Sequence, residues 1–180
     1  PSIRAARPSV RRPSPRAPHP VRVVLGPQDD RFTAAAIETL LAADWIVGPA
    51  ADRMGIRLEG PELAHAAGHD IVSDGIVTGA IQVPGTRRPI LLLHDRQTTG
   101  GYPKIATVIT ADLGRVAQAR VGEALRFEAI PREAAALARR RWRRELTARL
   151  AAVAEARPGP PDAARLLAEN LISGVVSMHD

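Results

Sequence analysis

The chain has 180 residues and 45% hydrophobic content, enough for one domain with a real core, and its 3% aromatic content makes that core aliphatic. It has no cysteine, which excludes disulfides, thiolate metal sites and cysteine nucleophiles. The formal net charge is +6, but Arg4, Arg7, Arg11, Arg12, Arg16 and Arg22 meet no acid in residues 1–22 and account for all of it.

Beyond residue 22 the chain is neutral overall, and its other basic cluster, 139–144, is interrupted by one aromatic, Trp142. A solvated arm and a solvated helix face describe this pattern better than a nucleic-acid surface, which interleaves basic and aromatic residues. No apolar run approaches the roughly 20 residues that cross a bilayer, and no apolar signal segment opens the chain. The expectation is a cytoplasmic protein with neither nucleic acid nor membrane as a partner.

Residues 1–20 hold Pro1, Pro8, Pro13, Pro15, Pro18 and Pro20 among Ser, Ala and Arg, a composition that reads as a semi-extended linker. The opening Pro in place of Met suggests that a segment precedes it. From residue 21 the pattern turns apolar. A strand is predicted over 21–25, closed by Gly26-Pro27, then a helix over 33–43 with Asp29 or Asp30 as its cap. Short strands follow at 45–47 and 56–58, a turn at Gly60-Pro61, and an extended stretch at 70–72. Two buried strands, 79–83 and 89–93, flank the Pro84-Gly85 turn. A strand over 104–110, a short helix over 112–120 and a closing strand over 124–130 complete the region. Many short strands with Gly/Pro turns and few helices predict a barrel or sandwich carrying small helices.

Beyond Pro131 the pattern is helical. Trp142, Leu146, Leu150 and Val153 share one stripe, with arginines largely opposite. A break at Arg157-Pro158-Gly159-Pro160-Pro161 precedes a second amphipathic segment from Asp162 to about Ile172. The expected organisation is a linker over 1–20, a barrel domain over 21–130 and a helical extension over 131–180.

The unusual chemistry is concentrated in His94-Asp95-Arg96-Gln97-Thr98-Thr99-Gly100-Gly101-Tyr102-Pro103-Lys104, which holds the only Tyr and the only Lys of the chain. A chain that writes every other fixed cation as Arg has a use here for a compact ammonium instead of a planar fork. Thr98, Thr99, the Gly100 and Gly101 amides and Lys104 have the ingredients of an oxyanion or carboxylate cradle. It is no Walker loop, since the Gly-Lys-Thr order and the following helix are missing. The plainer alternative is a tight Gly-Gly turn with polar residues facing water, Lys104 among them. His65 and His69 stand four apart, but Gly68 disrupts a helix there and no Glu lies between them, so no metal site is expected. Ser73-Asp74-Gly75 lacks the first Gly of a nucleophile elbow.

Three blocks carry a family resemblance. They are Asp52-Arg53-Met54-Gly55-Ile56-Arg57-Leu58-Glu59-Gly60-Pro61, then Ser73-Asp74-Gly75 leading to Gly79-Ala80-Ile81-Gln82-Val83-Pro84, and then the run from Pro89 through Lys104 to Ile105-Ala106. From about Val21 to Ile130 the chain resembles the C-terminal half of the family formed by the C subunit of 5-oxoprolinase. That family is also called allophanate hydrolase subunit 2 or biotin-dependent carboxyltransferase. The signature-bearing N-terminal half has no counterpart here, and Ile56 stands where the family commonly has an aromatic. The resemblance implies a mainly β, cyclophilin-like β-barrel with small helices and a helical C-terminal extension.

For function, the resemblance implies one component of an ATP-dependent 5-oxoprolinase that opens the 5-oxoproline lactam to glutamate together with the A and B subunits. ATP would serve through the complex, and the isolated chain would be inactive. Two alternatives stay open: a biotin-dependent carboxyltransferase of the urea carboxylase type, and a non-catalytic regulatory module antagonising a kinase inhibitor. Lactam opening and carboxyl transfer both develop negative oxygens that need preorganised donors. The candidate catalytic residues are Lys104, Tyr102 and Asp95, and the candidate substrate-binding residues are Gln82, Arg57, Gln97, Thr98, Thr99, Gly100 and Gly101. Asp95 and Arg96 have a structural alternative, pairing with each other or with Arg57.

Overall fold

The computed structural model describes residues 19–155. A compact unit that ends at Arg143 holds all of the sheet structure, and the described residues from Arg144 belong to a second unit. In chain order the elements are β1 (Val21–Leu25), a 3-10 turn (Asp29–Arg31), α1 (Ala34–Ala42), β2 (Trp45–Ala51) and β3 (Gly55–Glu59). Next come β4 (Asp74–Gly75), β5 (Ala80–Gln82), β6 (Ile90–Leu92), β7 (Thr99–Gly100) and β8 (Lys104–Val108). The last are α2 (Leu113–Val116), β9 (Ala124–Leu125), β10 (Phe127–Ala129) and α3 (Arg132–Glu155).

Eight strands form one sheet in the order β10-β1-β8-β5-β6-β3-β2-β9. Its two outermost strands are consecutive in the chain and separated by Arg126 alone. Leu125 pairs antiparallel with Trp45, and Phe127 pairs parallel with Val21. One short segment, 124–129, therefore covers both open edges, and the sheet comes close to closing into a barrel. Arg126, at the break, donates to both carboxylate oxygens of Asp44. Of the barrel or sandwich that the short strands predict, the structure has the nearly closed barrel.

Alternation fills the interior. Val21 and Val23 are buried around the outward Arg22, and Ile56 and Leu58 around the outward Arg57. They join Trp45, Val47, Ile81, Leu91, Ile105 and Phe127 in one apolar, mostly aliphatic core, which α1 completes with Ala36 and Leu40. The Trp45 indole N–H, inaccessible to water, donates to the Leu40 carbonyl at 2.9 Å.

Two local expectations change, and one element is new. The cap of α1 is Thr33, whose backbone is extended and whose hydroxyl accepts the Ala36 N–H at 3.1 Å. Asp29 and Asp30 are instead wound into the 3-10 turn that precedes it. The helix expected over 112–120 is the single turn α2, because the Gln118 and Ala119 N–H groups bond only three residues back, to Arg115 and Val116. In the stretch 70–72, Ile71 makes one backbone bond, to the Gly101 carbonyl. An unforeseen element is the separate two-stranded ribbon of β4 and β7, pairing Asp74 with Gly100 and Gly75 with Thr99.

Helix α3 runs without interruption over the predicted helical stretch after Pro131, and Trp142, Leu146 and Leu150 are exposed on it. No helix among the described residues is long and apolar enough to cross a membrane. The Pro-rich stretch up to residue 18 and the helix expected from Asp162 lie outside the described residues.

Candidate functional site

Strand register sets the site. Arg57 pairs with Ile90, Ile90 with Gln82, and Gln82 with Lys104, so these four form one row across β3, β6, β5 and β8. Their chain neighbours Ile56, Leu58, Leu91, Ile81 and Ile105 are buried in the core, which puts the row on the outer face of the barrel. Exposure falls along it. Arg57 is open, Ile90 half-buried, and Gln82 and Lys104 are 2% and 1% exposed. The ribbon of β4 and β7 covers the inner end. Its Asp74 Oδ2 lies 3.0 Å from Lys104 Nζ, and a Cβ on its Gly100 would come within 3.0 Å of Gln82 Nε2.

Lys104 is thus a buried cation, not the solvent-facing lysine of the plainer alternative. Gln28 fastens it from the loop after β1. Its Oε1 accepts the Lys104 backbone N–H at 3.1 Å, its Nε2 donates to Asp74 at 3.0 Å, and its own backbone N–H donates to the Lys104 carbonyl. The Lys104 ammonium, then the Gln28 amide and the Gly75 N–H, hold the Asp74 carboxyl below its usual range. An ammonium has three donors. Among the described residues Asp74 is its single acceptor, which leaves two donors for another oxygen.

Along the outer part of the row lies a groove of about 490 Å³. Arg57, Gln82, Gln97 and Tyr102 line it, on apolar walls from Met54, Ile90 and Leu92. Gln97 Nε2 and Gln82 Nε2 both converge on Gly100, where a Cβ would also lie 2.8 Å from Ile76 Cδ1. The Gln82 amide donates to the Tyr102 carbonyl at 3.4 Å, while the Tyr102 ring is 40% exposed.

The remaining candidates are spread around this centre. Thr98 and Thr99 are exposed on and beside the ribbon, with Gly100 and Gly101 half-buried behind them. Asp95 is outside the groove. It pairs with Arg53 at 2.9 Å, and the expected pairing with Arg96 or Arg57 is absent. Arg96 instead donates to the Ile76 and His94 carbonyls, fixing the polar loop to the residue that follows β4. His65 points a ring nitrogen at the Val83 carbonyl, 3.0 Å away, and packs on Phe32.

Sequence reasoning missed two site residues, Gln28 and Asp74. Nothing in the local sequence marks Gln28. Asp74 stood in the Ser73-Asp74-Gly75 block, but only the fold brings it to Lys104 across 30 positions.

Residues 2–129 match the family described as carboxyltransferase domain, subdomain A and B, and the chain belongs to that family. It is 46% identical over 98 residues to the 5-oxoprolinase C subunit of Haemophilus influenzae, covering 54% of this chain and 32% of that one. It is also 36% identical over 107 residues to the 5-oxoprolinase C subunit of Escherichia coli, covering 59% and 34%. The chain thus spans about a third of the length of these relatives. In structure it resembles the K. lactis urea amidolyase with a TM-score of 0.60 and 26% identity, over 64% of this chain and 8% of that one.

Proposed function

We propose that the chain is part of an ATP-dependent 5-oxoprolinase, a cytoplasmic assembly with homologues of the A and B subunits. In this reading the barrel's outer face holds the lactam while it is opened to glutamate. The observation that carries the proposal is Lys104, an ammonium removed from water with two donors unspent, one strand beyond Gln82, which lines the groove. Hydrolysis of an amide puts negative charge on the carbonyl oxygen as water adds to the carbon and the C–N bond breaks. A preorganised cation at that oxygen, in a place shielded from solvent, lowers the barrier because it needs no reorganisation. Gln82 and Gln97 present neutral donors to the bound amide, Tyr102 adds a hydroxyl, and the Gly100 approach brings ribbon and amides together. Asp74 and Gln28 are positioning residues that act through Lys104. ATP is spent through the partner subunits, and no step of this account passes through it.

A second reading is favoured by the likeness to the K. lactis urea amidolyase. There the chain would move a carboxyl group to urea or another small amide, and the same donors would hold the carboxylate of carboxybiotin. One assay separates the two. The chain is co-assembled with its partner subunits and supplied with ATP and either 5-oxoproline or urea with bicarbonate. Glutamate formation supports the oxoprolinase, and bicarbonate-dependent consumption of urea supports the carboxyltransferase. In either assembly Lys104→Ala should lower turnover by roughly 10²-fold, the typical cost of one oxyanion donor. Near-wild-type rates in an intact assembly would remove Lys104 from the mechanism.

A further inference from the structure

We propose that Arg57 is the carboxylate-recognition residue of the groove, setting both its substrate class and the direction in which the substrate lies. The inference rests on the functional reading above and adds a ligand to it. Arg57 and Arg96 are the fixed cations among the groove's lining residues, and Arg96 is committed. It is spent on the Ile76 and His94 carbonyls, and Arg53, beside the groove, pairs with Asp95. Arg57, exposed in the groove wall, makes no side-chain hydrogen bond or ion pair among the described residues. Asp52 is the one carboxylate lining the groove, and its Oδ1 accepts the Met54 and Gly55 N–H groups at 2.8 and 3.0 Å. The groove therefore keeps an unspent planar fork and a positive excess, the arrangement that receives a carboxylate through two parallel hydrogen bonds.

The row gives the direction. Arg57 and Gln82 stand on either side of Ile90 in register, about 10 Å apart at two strand spacings, and Lys104 follows one spacing further. A small ring lying on Ile90, with its carboxylate at Arg57, carries its amide toward Gln82 and the buried ammonium. Met54 and Leu92 wall the same stretch with apolar surface that suits the ring's methylene edge. The groove thus fits a cyclic amide that also bears a carboxylate. A small neutral amide would leave Arg57 unfilled, unless a carboxyl donor such as carboxybiotin supplied the anion.

The test uses the co-assembled enzyme, wild type and Arg57→Gln, with 5-oxoproline and 2-pyrrolidinone, the same lactam without its carboxylate. Wild type should prefer 5-oxoproline by roughly 10- to 100-fold in kcat/KM, the worth of hydrogen bonds to a charged group, with most of the loss in Arg57→Gln appearing in KM. In the variant the preference should collapse toward one, and Arg57→Lys should recover only part of it. A parallel arm with urea and varied bicarbonate locates the anion. A slowed carboxyl transfer to urea there, with the KM for urea and the lactam preference untouched, assigns the carboxylate at Arg57 to the carboxyl donor. If Arg57→Gln changes neither arm, Arg57 does not bind the carboxylate. Nuclear magnetic resonance titration of the full chain with the two lactams reads the same discrimination without turnover. Shifts at Gly55, Arg57 and Gln82 with 5-oxoproline alone support the inference even if the assembly opens no lactam, and equal responses to both overturn it.

Discussion

Gly100 offers a sharp test of the site's geometry, because its neighbour Gly101 serves as an internal control. A Cβ on Gly100 would sit 2.8 Å from Ile76 Cδ1, 3.0 Å from Gln82 Nε2 and 3.4 Å from Gln97 Nε2. The backbone there is not left-handed, so any loss in Gly100→Ala is steric and is set against the gain of about 0.4–1 kcal/mol from a less flexible unfolded chain, which Gly101→Ala shares. Ile76 can swing its terminal methyl aside. The Gln82 amide has less freedom, since Gln82 is 2% exposed and donates to the Tyr102 carbonyl. Overpacking of this kind costs about 1–3 kcal/mol. At roughly 2–4 °C per kcal/mol for a chain of this size, the midpoint should fall by about 2–12 °C. Gly101→Ala meets only the Ile71 carbonyl at 3.4 Å, an ordinary contact, and should leave the midpoint unchanged or slightly raised. Differential scanning calorimetry measures both variants, and the shift of the Gln82 side-chain amide resonance reports whether that group moved. If the two variants melt together, or if Gly100→Ala melts lower with the Gln82 resonance in place, the ribbon does not press on the groove as described.

Two further outcomes follow from local contacts. Asp74 has a depressed folded-state pKa through Lys104 first, so its contribution is present above the unfolded carboxyl value of about 3.8 and fades as pH falls through the lower folded value. Asp74→Asn should therefore destabilise the chain at pH 7 and approach wild type as pH falls below the depressed folded value in urea titrations, whereas a gap independent of pH would refute the ion pair. Thr33→Ala should lower stability by about 1 kcal/mol through loss of the α1 cap, measured by urea denaturation, while Asp29→Ala should show no capping loss because Asp29 caps nothing in α1.

The strands were legible where apolar residues alternate or run, as at Val21–Leu25, Gly55–Glu59 and Ile90–Leu92. That signal reports which side chains leave water, and barrels depend on little else. The ribbon was illegible for the same reason. Asp74-Gly75 and Thr99-Gly100 are two residues each, polar or lacking a side chain, and they pair across a long separation. The cap of α1 was misplaced because three oxygen-bearing side chains stand before the helix, and only backbone conformation selects Thr33 among them. The candidate site residues could be collected from one motif, but their order could not. That Arg57, Gln82 and Lys104 form one row depends on the register of four strands, which no single segment encodes.

Register also explains why this chain has a lysine at one end of the row and an arginine at the other. At position 104 the side chain is only 1% exposed, under a ribbon that offers one carboxylate. A guanidinium there would bring five N–H donors to a place with one acceptor group, and each unmatched donor would carry a desolvation cost. An ammonium brings three, spends one on Asp74 and leaves fewer unmatched. At position 57 the side chain is exposed, water satisfies whatever the ligand does not, and the fork's fixed geometry becomes the advantage. Exchanging the two should therefore fail in both directions. Lys104→Arg should not restore the turnover lost in Lys104→Ala, and it should also lower stability, whereas Arg57→Lys should leave stability intact and lose only substrate preference. Thermal melts of the two variants beside their kinetics decide the matter. A Lys104→Arg variant as stable and active as wild type would show that the buried end tolerates a fork, and the assignment of Lys104 as the inner donor would then fail.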